Sequence, residues 1–186
     1  MHAREQQASD GDRQHLPDLL HEFRRHKDLA DRALRNLNDD QFFRQPGPQV
    51  NSVAIIVKHL AGNLRSRWTD FLASDGEKPD RCRDREFVIT SDDTRASLTA
   101  AWQTGWQAVL GTVAGLRESD LGRTVTIRGE PLTVFQALVR GLSHAAYHVG
   151  QVLYVARLSR PDSPWLTIAP GQSDSARGGY LKPPGT

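Results

Sequence analysis

Residues 133–158 read TVFQALVRGLSHAAYHVGQVLYVARL, and this stretch decides the fold. Thr133 with Gln136 three residues later is a capping box, in which each side chain satisfies a free N–H at a helix start. No proline interrupts the run until Pro161 ends it. Val134, Ala137, Gly141, His144, His148, Val152 and Val155 recur at three- and four-residue steps, so they share one helix face. That face is apolar except for two histidines, so their imidazoles point toward whatever the helix packs against. Small Ala137 and Gly141 predict room for a ligand beside them.

Working outward, three more amphipathic stretches appear. Pro17 opens a first helix on which Leu19, Phe23, His26, Ala30, Ala33 and Leu37 form the buried stripe. Asn36, Asn38 and Asp39 end it, and Pro46-Gly47-Pro48 forbids continuation. Asn51 is the expected N-cap of a second helix, with Val53, Ile56, Leu60, Leu64, Trp68 and Phe71 on its buried side. A third runs from about Asp92 to Gly115, with a seam at Leu98, Trp102, Gly105, Val109, Thr112 and Leu116. Residues 74–91 are mostly charged and contain Pro79, so they read as a long connection of the kind that carries function. Thr124 to Glu130 alternates β-branched residues before Arg128-Gly129, the pattern of a short hairpin or an extended lid. The architecture predicted is all-α: a four-helix bundle over residues 15–175, a short hairpin before the last helix and an irregular C-terminal tail. Residues 1–14 read as a disordered polar arm and 176–186 as the end of the tail. Trp165, Leu166 and Ile168 are the residues able to pack the tail onto the bundle.

Composition narrows the function. The chain has 186 residues, a formal net charge of +2, seven histidines and one cysteine. Lone Cys82 excludes an internal disulfide framework, a cysteine-rich zinc module and an iron–sulfur cluster, and points to a reducing, cytoplasmic address. Arginines flank Cys82, a setting in which a thiol can become reactive, although a single loop cysteine is usually a bystander. The longest apolar run, Val53 to Val57, is far short of the roughly 20 residues that span a bilayer. The polar start, Met1 to Gln7, has no signal-peptide pattern. Neither nucleic acid nor membrane is expected as a partner, because the 20 arginines and four lysines are interleaved with acids and read as a solvated surface.

The histidines hold the chemistry. His144 and His148, at i and i+4, place their Cβ atoms roughly 5–6 Å apart, near enough to converge on one metal at about 2.0–2.1 Å. His59 of the second helix shares a face with Ser52, Ile55, Ile56, Asn63 and Ser66, apolar at one end and polar at the other, as suits a cavity wall. Two readings of the three remain open on spacing: separately hydrogen-bonded core histidines, or ligands of a shared metal. Burying them without a metal demands three sets of partners, at about 1–3 kcal/mol for each one missing. His26, on the stripe of the first helix, is either a further pocket residue or a core-edge histidine bonded to a neighbour. His2, His15 and His21 read as solvated. Asn63, Tyr147 and Gln151 are candidates for supporting the ligands or touching substrate. A protease of the His-Glu-x-x-His type is excluded, since Ala145 stands where its general base would be.

These residues carry a resemblance. Asn51 to Asn63, NSVAIIVKHLAGN, resembles the second-helix signature of the DinB-like superfamily. Residues 65–71 (RSRWTDF), 126–130 (TIRGE) and 144–151 (HAAYHVGQ) resemble one branch of it. The resemblance spans about residues 16–175. It implies a four-helix bundle whose divalent metal, nickel or zinc, is held by His59, His144 and His148, and a homodimer. Relatives include bacillithiol S-transferases and a mycothiol-dependent maleylpyruvate isomerase. The function so implied is a metal-dependent transfer of a small thiol to an electrophilic small molecule. Hydrolysis by a metal-bound water and a non-catalytic, stress-associated metal-binding dimer stand as alternatives. No general acid or base is assigned, because the stripe of the last helix offers no Asp or Glu.

Overall fold

The computed structural model describes residues 15–176, and the expectations for 1–14 and for 177–186, His2 included, lie outside the described residues. The described residues form five α-helices and one β-hairpin. Helix α1 (His15–Arg35) buries Phe23, Ala30 and Ala33. A short α2 (Asp39–Phe43) follows that the sequence reading did not anticipate. Asn38 was read as part of the end of the first helix, but its side chain also accepts from the Gln41 N–H and caps the next. Phe42 of α2 is buried beneath the Arg95 guanidinium, which lies 4.2 Å from the ring centroid.

Helix α3 (Val53–Trp68) is the centre of the bundle, buried on nearly every side. Its cap is Ser52 rather than Asn51, the hydroxyl accepting from the Ile55 N–H at 3.2 Å. It ends at Trp68, short of the expected Phe71, because Thr69 turns to extended backbone (φ −71°, ψ 129°), and Asp70 follows with a left-handed φ of 49°. Helix α4 (Arg95–Gly115) begins after Thr94, whose capping box with Ser97 sets the start later than Asp92. Helix α5 (Val134–Ser159) begins at the Thr133–Gln136 capping box, as read from sequence. Strands β1 (Thr124–Ile127) and β2 (Glu130–Thr133) pair antiparallel just before it.

α3 packs chiefly on α4, and α1 on α5. Phe23, Trp68, Trp102 and Trp106 are fully buried between them. Trp102 also donates its indole N–H to Asp31 at 2.8 Å, tying α4 to α1. One expectation about space is corrected here. A Cβ on Gly141 would sit 2.4 Å from Cζ2 of Trp68, so the room left by that glycine is filled by the indole, not by a ligand. In the tail, Leu166 packs on the core and Trp165 lies under the Arg157 guanidinium, while Ile168 stays exposed. No described helix is long and apolar enough to cross a membrane.

The long connection is anchored near its start. Ser66 Oγ donates to the Gly76 carbonyl at 3.1 Å and accepts from the Lys78 N–H at 2.9 Å. The Gly76 N–H reaches the Thr126 carbonyl of the hairpin at 2.8 Å. The hairpin turns on Arg128 and Gly129, both with positive φ (58° and 75°), the two-residue turn whose twist matches the strands. Asp75 holds that turn, accepting from the N–H groups of Arg128 and Gly129, each at 2.8 Å, and from Glu77 at 2.7 Å. The backbone bonds from Glu77, Gly129 and Arg128, with the side-chain hydrogen bond of Thr126, hold its carboxyl down at about 2.

A folded-state pKa below the unfolded value of about 3.9 stabilises the fold above that pH and is lost as pH falls toward 2. Asp75→Asn is therefore expected to melt at lower temperature than the parent protein near neutrality. Thermal scans down the pH series should show the gap closing between about pH 4 and pH 2. A gap independent of pH would refute this role.

Candidate metal centre

His59, His144 and His148 meet between α3 and α5, with one ring nitrogen from each lying within 4.8 Å of the others. Ring centroids are 4.6 Å apart for the pair on α5, and 5.5 and 4.8 Å from His59 to His144 and His148. His59 and His148 are buried and His144 is half-buried.

Each imidazole is oriented differently. His148 donates from Nδ1 to Oε1 of Gln151 at 2.8 Å, which fixes the tautomer and leaves Nε2 as a bare acceptor. His59 donates from Nδ1 to Oε2 of Glu86 at 2.8 Å, again freeing Nε2. Among the described residues, His148 Nε2 and His144 Nδ1 are buried without a hydrogen-bond partner. Burial, with repulsion from His148, His59 and the arginines Arg67 and Arg81, pushes His144 down to about 3. Burial also takes His148 down to about 4, against the opposing effect of its Gln151 bond. Both rings are thus neutral at ordinary pH with lone pairs available, the state a divalent cation requires of its ligands. Orphaned acceptors, neutral imidazoles and a carboxylate behind one of them fit a three-histidine metal site.

The carboxylate was not legible in the sequence. Glu86 lies on a 3-10 turn, Arg83–Phe87, inside the long connection. Its neighbour Phe87 packs on the His59 ring at 4.7 Å. Burial alone would raise the Glu86 carboxyl, but hydrogen bonds from His59 and Arg81 outweigh it and keep the pKa below the ordinary value. Arg81 grips both Glu86 oxygens, Nε to Oε1 at 2.8 Å and Nη2 to Oε2 at 2.9 Å, and reaches Glu77 through Nη1 at 3.0 Å. The one available signal was Gly62, an otherwise costly residue in a helix interior. A Cβ there would stand 2.3 Å from Oε1 of Glu86, so the glycine is the seat of the carboxylate.

The other candidates separate. Gln151 supports His148, as described. Asn63 is buried and lines the same cavity, of about 150 Å³. Tyr147 forms its rim, half exposed, with its ring centroid 4.2 Å from His148 and 5.1 Å from His144. His26 is not among the cavity's lining residues; its Nδ1 bonds the Glu22 carbonyl of its own helix at 2.7 Å, and it is the core-edge histidine of the two readings. Cys82 is exposed and outside the lining. The reading of the arginines as a dispersed surface is corrected: Arg67, Arg81, Arg83, Arg128 and Arg140 converge on this one cavity.

Two outcomes follow. Elemental analysis should find about one divalent ion per chain, abolished in His144→Ala and His148→Ala; full occupancy in both variants would refute the assignment. Glu86→Gln should weaken metal affinity about 10- to 100-fold, as loss of the carboxylate behind a ligand histidine does. It should also lower stability, because Arg81 loses its buried counter-charge. Competition titration with a chromophoric chelator and denaturant melts read the two effects separately.

Among solved structures, the chain is similar to one titled as the crystal structure of a conserved protein from Enterococcus faecalis. Identity is 17% and the TM-score 0.57, over 77% of this chain and 95% of that one, a likeness that shows the fold alone. No curated protein matches. The family profile described as "Protein of unknown function (DUF1572)" matches residues 10–172. With that extent of match, the chain belongs to the DUF1572 family, which is DinB-like.

Proposed function

We propose that this protein is a divalent-metal-dependent enzyme that transfers a small thiol to an electrophilic small molecule. The observation that carries the metal requirement is the convergence of three histidines beside a cavity, two of them neutral and each of those two with a buried ring nitrogen that has no partner among the described residues. His59, His144 and His148 would hold the ion, nickel or zinc. When bound, it would act as a Lewis acid that lowers the pKa of a thiol or water brought to it. With three protein ligands, one position stays open to a small molecule.

What the chain itself supplies favours a thiol over water. The cavity lining contains no carboxylate. Glu86 is committed to His59 and Arg81 and has no oxygen free for proton abstraction from substrate. Hydrolysis commonly relies on a positioned general base. A thiol, with an ordinary pKa near 8.5, needs far less help to reach its nucleophilic form. The thiol must come from outside, since Cys82 lies outside the lining. Tyr147 and Asn63 stand at the rim and wall, where they would orient the incoming molecule.

Purified protein reconstituted with nickel or zinc, given a panel of low-molecular-weight thiols and a chlorinated or epoxide electrophile, is expected to form the thioether conjugate. The rate should fall at least about 100-fold in His148→Ala, as expected for loss of a group essential to the chemical step. Absence of conjugation with every thiol, in protein shown to hold metal, would overturn the reading and favour a non-catalytic metal-binding role.

A further inference from the structure

Five arginines line the small cavity beside the histidines, and no acid does. Three of them have carboxylate partners set back from it. Arg81 pairs with Glu86 and Glu77, Arg128 with Glu77 at 3.4 Å, and Arg83 with Asp84 at 3.8 Å. Arg67 and Arg140 have no ion pair among the described residues. Arg67 is the more telling. It is 5% exposed, on the last turn of α3, and its Nε is buried without a hydrogen-bond partner. Burial, then repulsion from Arg140 and Arg81, lowers its pKa to about 10, against a smaller attraction from Glu77, with which it forms no ion pair. Buried guanidinium groups are ordinarily paired, because an uncompensated buried charge is costly. A cation held this way in a cavity wall, with a second unpaired arginine facing the same space, is a site built for an anion.

We infer that the small molecule taken by this cavity is an oxyanion, a carboxylate or phosphate, held by Arg67 and Arg140 with Arg128 and Arg83 at the mouth. This rests on the proposed enzyme reading and names its substrate class: the reacting molecule carries an acidic group that the arginines grip while its other end faces the histidines. The guanidinium fork matches either oxyanion in two-point geometry. Arg128 is delivered to the mouth by the hairpin turn that Asp75 holds, and Arg83 by the turn that carries Glu86. Four otherwise separate parts of the chain, two helices, the connection and the hairpin turn, thus place cations around one point.

The test uses the full-length protein, metal-free and metal-loaded, with isothermal titration of inorganic phosphate, malonate and the neutral isostere malonamide. Metal-free protein is expected to bind phosphate or malonate, and the stronger of the two identifies the acidic group; malonamide should not bind. Arg140→Gln, on the exposed side, and Arg67→Met should each weaken binding about 10- to 100-fold, the loss of one charge-assisted contact. Arg67→Met should melt no lower than the parent protein, since it removes an unpaired buried charge; a purely structural arginine would show the opposite. Equal affinity for malonamide, unchanged affinity in both variants, or no anion binding by the parent protein would overturn the inference. Metal content measured on the same samples keeps the two readings apart. Anion binding without metal uptake would remove the metal reading and leave the oxyanion site standing. Metal uptake without anion binding would do the reverse.

Discussion

The interaction on which the rest depends is the buried carboxylate of Glu86, shared between His59 and Arg81. A lone carboxylate at that depth would be neutral or would be expelled. Two partners keep it charged, and in return it fixes the tautomer of His59 and points Nε2 at the other histidines. The arrangement also explains two features of the neighbouring chain. Gly62 must lack a side chain because the carboxylate occupies its space. The long connection cannot be a loose loop, because its 3-10 turn supplies both the carboxylate and the Phe87 ring that packs on His59.

From that pairing the site is layered outward. Arg81 passes the charge network on to Glu77, which also meets Arg128 at the hairpin turn. Asp75 ties the same turn to the start of the connection. Helix, connection and hairpin are therefore coupled through charge, in a molecule whose core is otherwise aliphatic and aromatic. A net charge of +2 conceals this local arrangement. Acids and bases balance over the whole chain, but the acids stand behind the arginines and the cavity sees only the cations. Whole-chain charge speaks to solubility and long-range steering and is silent about such local polarity.

Much of the fold was legible because helices announce themselves locally. The capping box at Thr133, the three- and four-residue steps of apolar side chains and the β-branched alternation before Arg128-Gly129 are short-range signals, and each led to the element observed. Boundaries slipped where two residues competed for one role, as at Asn51 and Ser52, or where a single backbone angle ended a helix, as at Thr69. Helix α2 escaped notice because five residues are too few to show a period. His144 and His148 were readable as a pair because one helix fixes their separation. Their meeting with His59 depended on two helices packing in register.

By itself, then, the sequence determined the four long helices, the hairpin and which histidines lie on buried faces. Tertiary structure alone decided what surrounds those histidines. It filled the gap at Gly141 with Trp68, sent His26 back to its own helix, and brought Glu86, Arg81, Arg83 and Arg128 in from a connection and a turn with no periodic pattern. The physical reason is range. Helix formation and capping act over a few residues, so they are written in local spacing. Charge pairing in a low-dielectric interior acts between residues far apart in the chain, and its strength depends on a burial that exists only once the chain has folded.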